Sequence, residues 1–204
     1  MRLRHPHCKF TLAIEGPDRV GKQTQVRLLV DRLMSLRFAC EQVEVPVIDV
    51  LGAEQIYGML DDGRALKYPS TFQGLQLVNR CLFVSERLNV ILERNEVVVF
   101  DRWNASMQAY GSATGLDDVE LACYDSILPD VDYTMILDGA MHAVDDQLDT
   151  FERDCEFQQR VRDAYARWTR EHNNSCIIDA TGSIYDVHNR IWNTLLTIAP
   201  HVFD

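Results

Sequence analysis

The sequence predicts an α/β fold in which helices cover both faces of a five-stranded parallel sheet. Three observations support this prediction. Short apolar runs alternate with longer segments of helical periodicity from end to end, which is the pattern that βαβ units produce. The uninterrupted β-branched run VVVF at 97–100 is typical of a central strand that is buried on both faces. The 204 residues are 47% hydrophobic, which is enough apolar material for the core of one domain.

The elements follow one another in a regular order. The five strands are predicted at FTLAI (10–14), EQVEVPV (41–47), VVVF (97–100), YTMILD (133–138) and CIIDA (176–180). Pro46 weakens the second of them, because proline cannot donate to a strand ladder. Helices are predicted directly after the first strand, then over about 71–94, 117–128, 157–168 and 188–196. The chain contains no repeat, low-complexity tract or linker, so residues 1–204 are predicted to form a single domain.

Composition and charge limit the functions open to such a domain. The 20 Lys and Arg residues are outnumbered by 31 Asp and Glu residues, which gives a formal net charge of -11. Proteins that bind nucleic-acid phosphates usually carry the opposite balance, so no nucleic-acid partner is expected. No apolar run approaches the roughly 18 residues that span a bilayer, so no membrane partner is expected. The six cysteines form no CxxC pair, which indicates reduced thiols in a cytoplasmic protein.

The most specific motif follows the first predicted strand and opens the first predicted helix. It consists of Gly16, Pro17, Asp18, Arg19, Val20, Gly21, Lys22, Gln23 and Thr24. Two glycines separated by four residues allow a tight loop whose amides face phosphate oxygens, and the helix N-terminus adds partial positive charge. Lys22 can bridge the β- and γ-phosphates of a nucleoside triphosphate. A plain glycine turn before a helix is the alternative, but the strand–loop–helix context favours nucleotide binding.

Three residues of this loop suggest further chemistry. Asp18 can accept hydrogen bonds from a sugar hydroxyl or from a water on magnesium. Arg19 can reach a transferring phosphoryl group and neutralise its charge. Gln23 stands where a phosphate loop usually places a Ser or Thr hydroxyl on Mg²⁺, and Thr24 is turned away by about 100° on a helix. We therefore expect a magnesium site that is weakened or built differently, with Gln23 as a candidate ligand.

Motifs along nearly the whole chain resemble, in order, those of the thymidylate kinase family. The segment IEGPDRVGKQTQ (14–25) is similar to the family's Glu-Gly-x-Asp-x-x-Gly-Lys-(Ser/Thr)-Thr-Gln. Four later segments also resemble the family: VVVFDRWNASMQAYG (97–111), PDVDYTMILD (129–138), FERDCEFQQRVRDAYARW (151–168) and CIIDATGSIYDVHNRI (176–191). The resemblance implies a P-loop NTPase-like fold with a short lid, ATP and Mg²⁺, a deoxynucleoside monophosphate acceptor and a homodimer. It places the lid at about 140–154 and the adenine-side loop at Ala180 and Thr181.

The resemblance also assigns candidate residues on the acceptor side. Asp101 ends the VVVF strand and would meet magnesium or its waters, although a helix cap is the alternative. Arg102 resembles the arginine that holds the acceptor phosphate, a task that suits a charge-assisted contact. The acceptor pocket would be lined by Ser106, Tyr110, Gln76 and Arg80. In this arrangement Tyr110 disfavours a ribose 2′-hydroxyl and Arg80 contacts the base edge.

Phe83 and Arg87 are an alternative to Gln76 and Arg80 as the pair that contacts the base. They leave only 14 residues before Asp101, which is too few for the rest of the helix and the turn that follows it.

The departures from the family pattern lie mainly in the acceptor and lid segments. Gln76 occupies the position where the family usually has a phenylalanine that stacks on thymine. The segment Val45-Pro46-Val47-Ile48-Asp49 lacks the arginine of the family's Phe-Pro-x-Arg. The lid segment Asp149-Thr150-Phe151-Glu152 lacks the family's arginine as well. Arg19 could supply the positive charge of that missing side chain. These departures leave thymine specificity open.

The leading hypothesis is therefore ATP-dependent phosphorylation of dTMP, with Asp18, Arg19, Lys22, Asp101 and Arg102 as the catalytic group. A dUMP-like or 5-modified deoxynucleotide is the first alternative. A buried amide must be paired, so we expect Gln76 to favour a base with a polar substituent as well as, or better than, thymine. A phosphotransferase acting on a modified base in DNA and a nucleotide-binding module without catalysis are the remaining alternatives.

Overall fold

The computed structural model describes Leu3 and residues 5–139 and 155–203, and the proposed lid segment 140–154 lies outside these residues. Five strands form one sheet: β1 (Phe10–Glu15), β2 (Cys40–Glu44), β3 (Val97–Asp101), β4 (Tyr133–Asp138) and β5 (Ser175–Asp179). The order across the sheet is β2-β3-β1-β4-β5, and each neighbouring pair is parallel. The predicted α/β fold with a five-stranded parallel sheet is confirmed.

Helices connect the strands and cover both faces of the sheet. They are α1 (Lys22–Ser35), α2 (Ala53–Asp61), α3 (Arg64–Lys67), α4 (Pro69–Phe83), α5 (Asn89–Arg94), α6 (Asn104–Ala113), α7 (Asp118–Ile127), α8 (Cys155–Glu171), α9 (Ile184–Ile198) and α10 (Pro200–Phe203). A π-helical turn at Val84–Leu88 joins α4 to α5, so the helix predicted over 71–94 is one continuous helical segment with a wider turn inside it. No helix among the described residues is long and apolar enough to cross a membrane.

Burial explains why the strands form where the apolar runs lie. All residues of β1 and β3 are buried, as expected for the two central strands. One face of the sheet packs on α1 and α9 through side chains such as Leu29 and Ile191, which are fully buried. On the other face, residues of α6 pack on α8 around Phe157 and Tyr165. A third cluster fills the space between β2, β3 and the α4–α5 segment.

Two features of the chain differ from the prediction. The second strand ends at Glu44 rather than at residue 47, because Pro46 has no N–H to donate to the ladder. The helices α2, α3, α6 and α10 were not predicted. Glycines stand before α2 and α3, and Gly58 lies inside α2, so the local sequence there looks like a turn region. In the structure α2 is held by tertiary contacts through Ile56 and Met59, which are buried.

Candidate active site

A cavity of about 710 Å³ lies at the carboxyl end of β1 and β3. Open parallel sheets usually bind ligands at the carboxyl ends of their strands, at the point where the strand order reverses. β1 lies at such a point, because the sheet continues with β3 on one side of it and with β4 on the other. Most of the predicted site residues line it: Asp18, Arg19, Val20, Gly21, Lys22, Gln23, Thr24, Gln76, Arg80, Asp101, Arg102, Ser106, Tyr110 and Ala180. Gly16, Pro17 and Thr181 are outside its lining. The fold therefore brings together predicted residues from five segments: the phosphate loop with the start of α1, α4, the end of β3, α6 and the loop after β5.

The loop before α1 has the backbone geometry of an anion site. Arg19 and Gly21 have φ values of +61° and +92°, so the chain turns sharply in the left-handed region. α1 begins at Lys22 without a side-chain cap and without an acidic residue in its first turn. The first amides of the helix are thus open to a ligand, and the helix dipole favours a negative one.

Gly16 shapes the loop without lining the cavity. Its φ is +139°, and a Cβ added there would lie 2.4 Å from the backbone oxygen of Leu137 on β4. Only glycine allows this close approach of the loop to the sheet. Pro17 contributes its carbonyl oxygen, which accepts a hydrogen bond of 2.6 Å from Lys22 Nζ.

Lys22 is a buried ammonium group in the middle of this loop, with 7% of its surface exposed. Burial and the positive charge of Arg102 lower its pKa to about 8, against the opposing effect of the carboxylates of Asp18, Asp101 and Glu15. A phosphate group placed here would replace the water that the ammonium has lost. Lys22 therefore needs an anionic partner, and the cavity beside it supplies the space.

Asp18 and Arg102 form an ion pair across the loop. Arg102 Nη2 donates to Asp18 Oδ1, and Arg102 Nη1 donates to the Gly16 oxygen at 3.3 Å. Gln158 Nε2 donates to the other Asp18 oxygen at 3.1 Å. Burial alone would raise the pKa of Asp18, but the charges of Arg102 and Lys22 outweigh it, and the pKa is lowered. Asp18 is thus an ionised acceptor at the cavity wall.

Asp101 at the end of β3 fits a divalent metal ion. The residue is 6% exposed and lines the cavity, and its carboxylate accepts no hydrogen bond from the described residues. Burial raises its pKa, and the charges of Arg102 and Lys22 oppose that effect. Mg²⁺ typically takes one or two carboxylates together with waters and phosphate oxygens. Gln23 and Thr24 also line the cavity, so both the amide and the hydroxyl are available near the loop.

The residues predicted for the acceptor pocket lie at the part of the cavity between α4 and α6. Arg80 is buried, and its Nη1 donates to Gln76 Oε1 at 2.6 Å. Ser106 Oγ donates to the Trp103 oxygen at 2.9 Å, which fixes the first turn of α6. The guanidinium of Arg102 lies over the ring of Tyr110, with its carbon 5.3 Å from the ring centroid. These residues form a continuous wall next to the phosphate loop.

The alternative pair, Phe83 and Arg87, lies elsewhere. Phe83 is 2% exposed and packs edge-on against Trp103 in the core, and Arg87 forms an ion pair with Asp49. Neither residue lines the cavity, so the geometry favours Gln76 and Arg80. The segment after β2 contributes Val45 and Pro46 to the lining but no arginine, in line with its sequence.

The loop after β5, which the sequence predicts on the adenine side, and the start of α9 form another part of the cavity wall. Ala180, Gly182, Ile184 and Val187 line it. Gln25 Nε2 donates to the Ile184 oxygen at 3.0 Å and so ties this loop to α1. Thr181 is exposed, and its hydroxyl donates to Asp179 at 2.6 Å, away from the cavity.

Two residues that support the site were missed by the sequence reasoning. Glu15 is fully buried and accepts hydrogen bonds from the amides of Trp103 at 2.6 Å and Ser106 at 3.1 Å and from the Tyr165 hydroxyl at 3.0 Å. Burial raises its pKa, although Arg102 and these hydrogen bonds oppose the shift. Gln158 is the second residue, through its contacts with Asp18. Glu15 directly follows the apolar run FTLAI, and both residues lie within the segments that resemble the family, but neither was assigned a role from the sequence.

A phosphate loop at the centre of a parallel sheet, opening into a cavity with a buried lysine, an ion pair and a free carboxylate, defines a nucleotide-binding P-loop protein. A model of the family described as thymidylate kinase matches residues 14–191. The chain belongs to the thymidylate kinase family, and it is accordingly a nucleoside monophosphate kinase.

Relatives and solved structures agree with this assignment. The chain is 31% identical over 190 residues to a thymidylate kinase of Leifsonia xyli, covering 86% of this chain and 89% of that one. It is 23% identical over 199 residues to a probable thymidylate kinase of Sulfolobus acidocaldarius, with 94% and 99% covered. Thymidylate kinase from Candida albicans has a similar fold, with a TM-score of 0.74, 21% identity and 93% and 92% coverage. The enzyme from Ehrlichia chaffeensis gives a TM-score of 0.66, 22% identity and 92% and 99% coverage.

Proposed function

We propose that this protein transfers the γ-phosphoryl group of ATP to the 5′-phosphate of dTMP. The observation that supports this most strongly is the continuous cavity that joins the phosphate loop around Lys22 to the wall formed by Gln76, Arg80 and Tyr110. A donor and an acceptor nucleotide can lie end to end there. In the reaction an acceptor phosphate oxygen forms a bond to the γ-phosphorus, and the bond from that phosphorus to the bridging oxygen of ADP breaks.

The chain's own residues would act mainly by position and charge. Lys22 would neutralise the β- and γ-phosphates, and Arg19 would neutralise the charge that develops on the transferred group. Arg102, held by Asp18, would place the acceptor phosphate in line with the γ-phosphorus. Asp18 would also accept a hydrogen bond from the acceptor sugar. Each of these side chains lines the cavity.

Magnesium is the metal that this donor set suits. Asp101 would hold it, directly or through waters, with Gln23 or Thr24 beside it on the phosphate loop. Mg²⁺ bound there would add positive charge at the phosphate oxygens. The comparisons favour none of the three alternatives, which were a kinase for a modified nucleotide, a phosphotransferase on DNA and a module without catalysis.

We also propose that the enzyme acts as a homodimer in the cytoplasm. Several apolar side chains on the β2 side of the molecule are exposed, among them Ile48, Leu51, Val78 and Val90. A second copy of the chain would remove such side chains from water. Sedimentation velocity tests the dimer, and a monomer at micromolar concentration would contradict it.

The proposed cytoplasmic location is supported by the cysteines. The described cysteines other than Cys155 are free thiols, in keeping with a reducing compartment.

The catalytic proposal is tested by ADP release from ATP and Mg²⁺ with a panel of deoxynucleoside monophosphates. We expect turnover with dTMP and its loss in the Lys22→Ala variant. The matched control is Lys67→Ala, because Lys67 is an exposed lysine far along the chain from the phosphate loop. Equal activity in both variants would contradict the assignment of the phosphate loop.

A further inference from the structure

Glu15, the last residue of β1, is a fully buried carboxylate that no step of the proposed reaction uses. Its Oε1 accepts hydrogen bonds from the amides of Trp103 at 2.6 Å and Ser106 at 3.1 Å. Its Oε2 accepts a hydrogen bond from the Tyr165 hydroxyl at 3.0 Å. All three bonds are donated to the carboxylate, which suits its ionised form. Glu15 therefore joins β1 to the start of α6 and to α8.

The two amides belong to the first turn of α6, which has no cap of its own. Trp103, the residue before the helix, makes no side-chain cap, and the first turn contains no acidic residue. A helix cap normally accepts from the amide of the third helical residue, here Ser106, and a capping box also satisfies the amide of the cap residue. Glu15 Oε1 accepts from both of these amides, and its charge suits the positive end of the helix dipole. Glu15 thus caps α6 from β1.

The residue directly before this cap, Arg102, has an unusual backbone conformation. Its φ is +71°, in the left-handed region that residues other than glycine rarely adopt. Such a conformation persists where the surrounding structure determines it. Here the Arg102 amide donates to the Ile14 oxygen at 3.1 Å, and the following amide, that of Trp103, donates to Glu15. Two consecutive residues of β1 therefore hold the amides on either side of the left-handed residue.

This left-handed turn determines where the Arg102 side chain lies. β3 ends at Asp101 and α6 begins at Asn104, so two residues connect the strand to the helix. Within this short connection the guanidinium is directed to the phosphate loop, where it donates to Asp18 and to the Gly16 oxygen. Without the cap, Arg102 would be free to return to a common backbone conformation, and the guanidinium would leave this position.

We propose that Glu15 is a positioning residue for phosphoryl transfer, because its carboxylate caps α6 and so holds Arg102 in the conformation that presents the guanidinium to the acceptor phosphate. The inference rests on the proposed function, in which Arg102 places that phosphate in line with the γ-phosphorus. Glu15 is fully enclosed and is not among the residues that line the cavity. Its effect on the reaction therefore passes through Arg102.

Two substitutions separate the cap from the negative charge, which also interacts with Arg102, Arg80 and Lys22. Glu15→Gln removes the charge and keeps an oxygen that can accept from both amides, whereas Glu15→Leu removes the acceptor as well. We expect kcat/KM for dTMP to fall about tenfold in Glu15→Gln and at least about 100-fold in Glu15→Leu. Equal losses in the two variants would assign the effect to charge and overturn the proposal.

The Michaelis constants separate positioning from a purely structural role. Glu15→Leu should raise KM for dTMP at least about tenfold and leave KM for ATP within about twofold of its native value. The matched control is Asp117→Ala, which removes the cap of α7, where Asp117 accepts from the Glu120 amide at 2.8 Å. This control should lower the free energy of unfolding and keep kcat and both KM values. A destabilised Glu15→Leu variant with a native KM for dTMP would overturn the proposal.

A double-mutant cycle tests whether Glu15 acts through Arg102, and it does not depend on the folding of Glu15→Leu. The penalty of Glu15→Gln in kcat/KM should shrink to within about twofold when Arg102→Ala is already present, because the guanidinium to be positioned is gone. An undiminished penalty in that background would overturn the inference and leave the kinase function intact.

Amide hydrogen exchange in the nucleotide-free protein keeps this inference distinct from the proposed function. If the native protein turns over no nucleotide, the proposed function fails, and exchange still tests the cap. The Trp103 and Ser106 amides should exchange at least about threefold faster in Glu15→Gln than in the native protein, because a hydrogen bond to a neutral oxygen is weaker than one to a carboxylate. Asp117→Ala should leave both rates unchanged. Native exchange of both amides in Glu15→Gln would overturn the cap and the positioning role with it.

Discussion

Arg19 is the residue whose proposed role depends most on what the rest of the chain lacks. It lines the cavity from a left-handed backbone position inside the phosphate loop. The sequence from Trp103 to Glu152 contains no lysine or arginine, so residues 140–149 of the proposed lid offer no lysine or arginine to the reaction. Arg19 is therefore the side chain available to stabilise the transferring phosphoryl group.

Arg19→Ala should lower kcat by around 10³-fold and change KM for ATP far less, because the charge acts in the transition state. Steady-state kinetics with saturating dTMP measure both constants. Arg27→Ala is the matched control, since Arg27 is exposed on the helix that follows the loop. A loss confined to KM would show that Arg19 serves ordinary ground-state binding.

Gln23 should give the enzyme an unusual magnesium requirement. A hydroxyl ligand makes a shorter and more rigid contact with Mg²⁺ than an amide at the end of a longer side chain. We expect Gln23→Thr and Gln23→Ser to keep activity and to lower the magnesium concentration for half-maximal rate. A magnesium titration of the rate measures this, and inactivation by both substitutions would assign Gln23 another role.

At the residue level, the sequence was informative wherever a local motif determined the geometry. Lys22, Asp18 and Asp101 lie where strand ends and helix starts meet, so their approach to one another follows from the parallel sheet. Glu15 and Gln158 could not be found in this way. Their partners are 88 to 150 residues away for Glu15 and 140 residues away for Gln158, and only tertiary packing brings them together.

Among the elements, the junction of β1 with the phosphate loop is the most tightly constrained. Gly16→Ala would bring a Cβ within 2.4 Å of a backbone oxygen at a φ of +139°. We expect it to lower the free energy of unfolding by about 1–3 kcal/mol, measured by urea denaturation. Gly74→Ala is the control, because nothing lies within 4 Å of a Cβ there. Because Gly74 lies inside a helix, Gly74→Ala should raise the free energy of unfolding by about 0.5–1 kcal/mol. Equal effects of the two substitutions would contradict the close contact at Gly16.

The packing of α9 on α1 should make stability depend on acidity. His188 is 8% exposed, and burial together with the charge of Arg32 lowers its pKa below the usual value of 6.5. At a pH between the lowered pKa in the folded protein and the usual pKa in the unfolded chain, the unfolded chain binds a proton at His188 that the folded protein does not. The contribution to stability is therefore complete above pH 6.5 and is lost as the pH falls, by up to about 1.4 kcal/mol per pH unit.

Urea denaturation of the native protein and of His188→Gln between pH 7.5 and 4.5 measures this contribution. The native protein should lose more stability on acidification than the variant, which cannot titrate at this position. Identical slopes would show that His188 keeps its ordinary pKa in the folded protein.

The elements themselves were predictable to different degrees. β4 has the predicted bounds, and β1 and β3 extend one residue further, because uninterrupted apolar runs in this fold are strands buried on both faces. Four helices were missed, and two of them, α2 and α3, lie in a stretch of sequence that glycines punctuate. Their formation depends on contacts with α4, which no local pattern shows.

For the whole molecule, the strand order is what assembles the site. β1 lies between β3 and β4, so the phosphate loop emerges next to Asp101 and Arg102 at the end of β3. The α4–α6 pair then closes the side proposed for the acceptor, and the loop after β5 closes the side proposed for the donor base. The predicted five-stranded parallel sheet on which this arrangement rests is shared with the fold of solved thymidylate kinase structures.

The central claim is that Lys22 and the residues around it transfer phosphate from ATP to dTMP. The most direct measurement is the rate of ADP release with ATP, Mg²⁺ and dTMP, coupled to detection of dTDP, for the native protein, Lys22→Ala and Lys67→Ala. We predict equal amounts of ADP and dTDP from the native protein and from Lys67→Ala, and neither product from Lys22→Ala. ADP formed without dTDP, or undiminished dTDP formation by Lys22→Ala, would contradict the account.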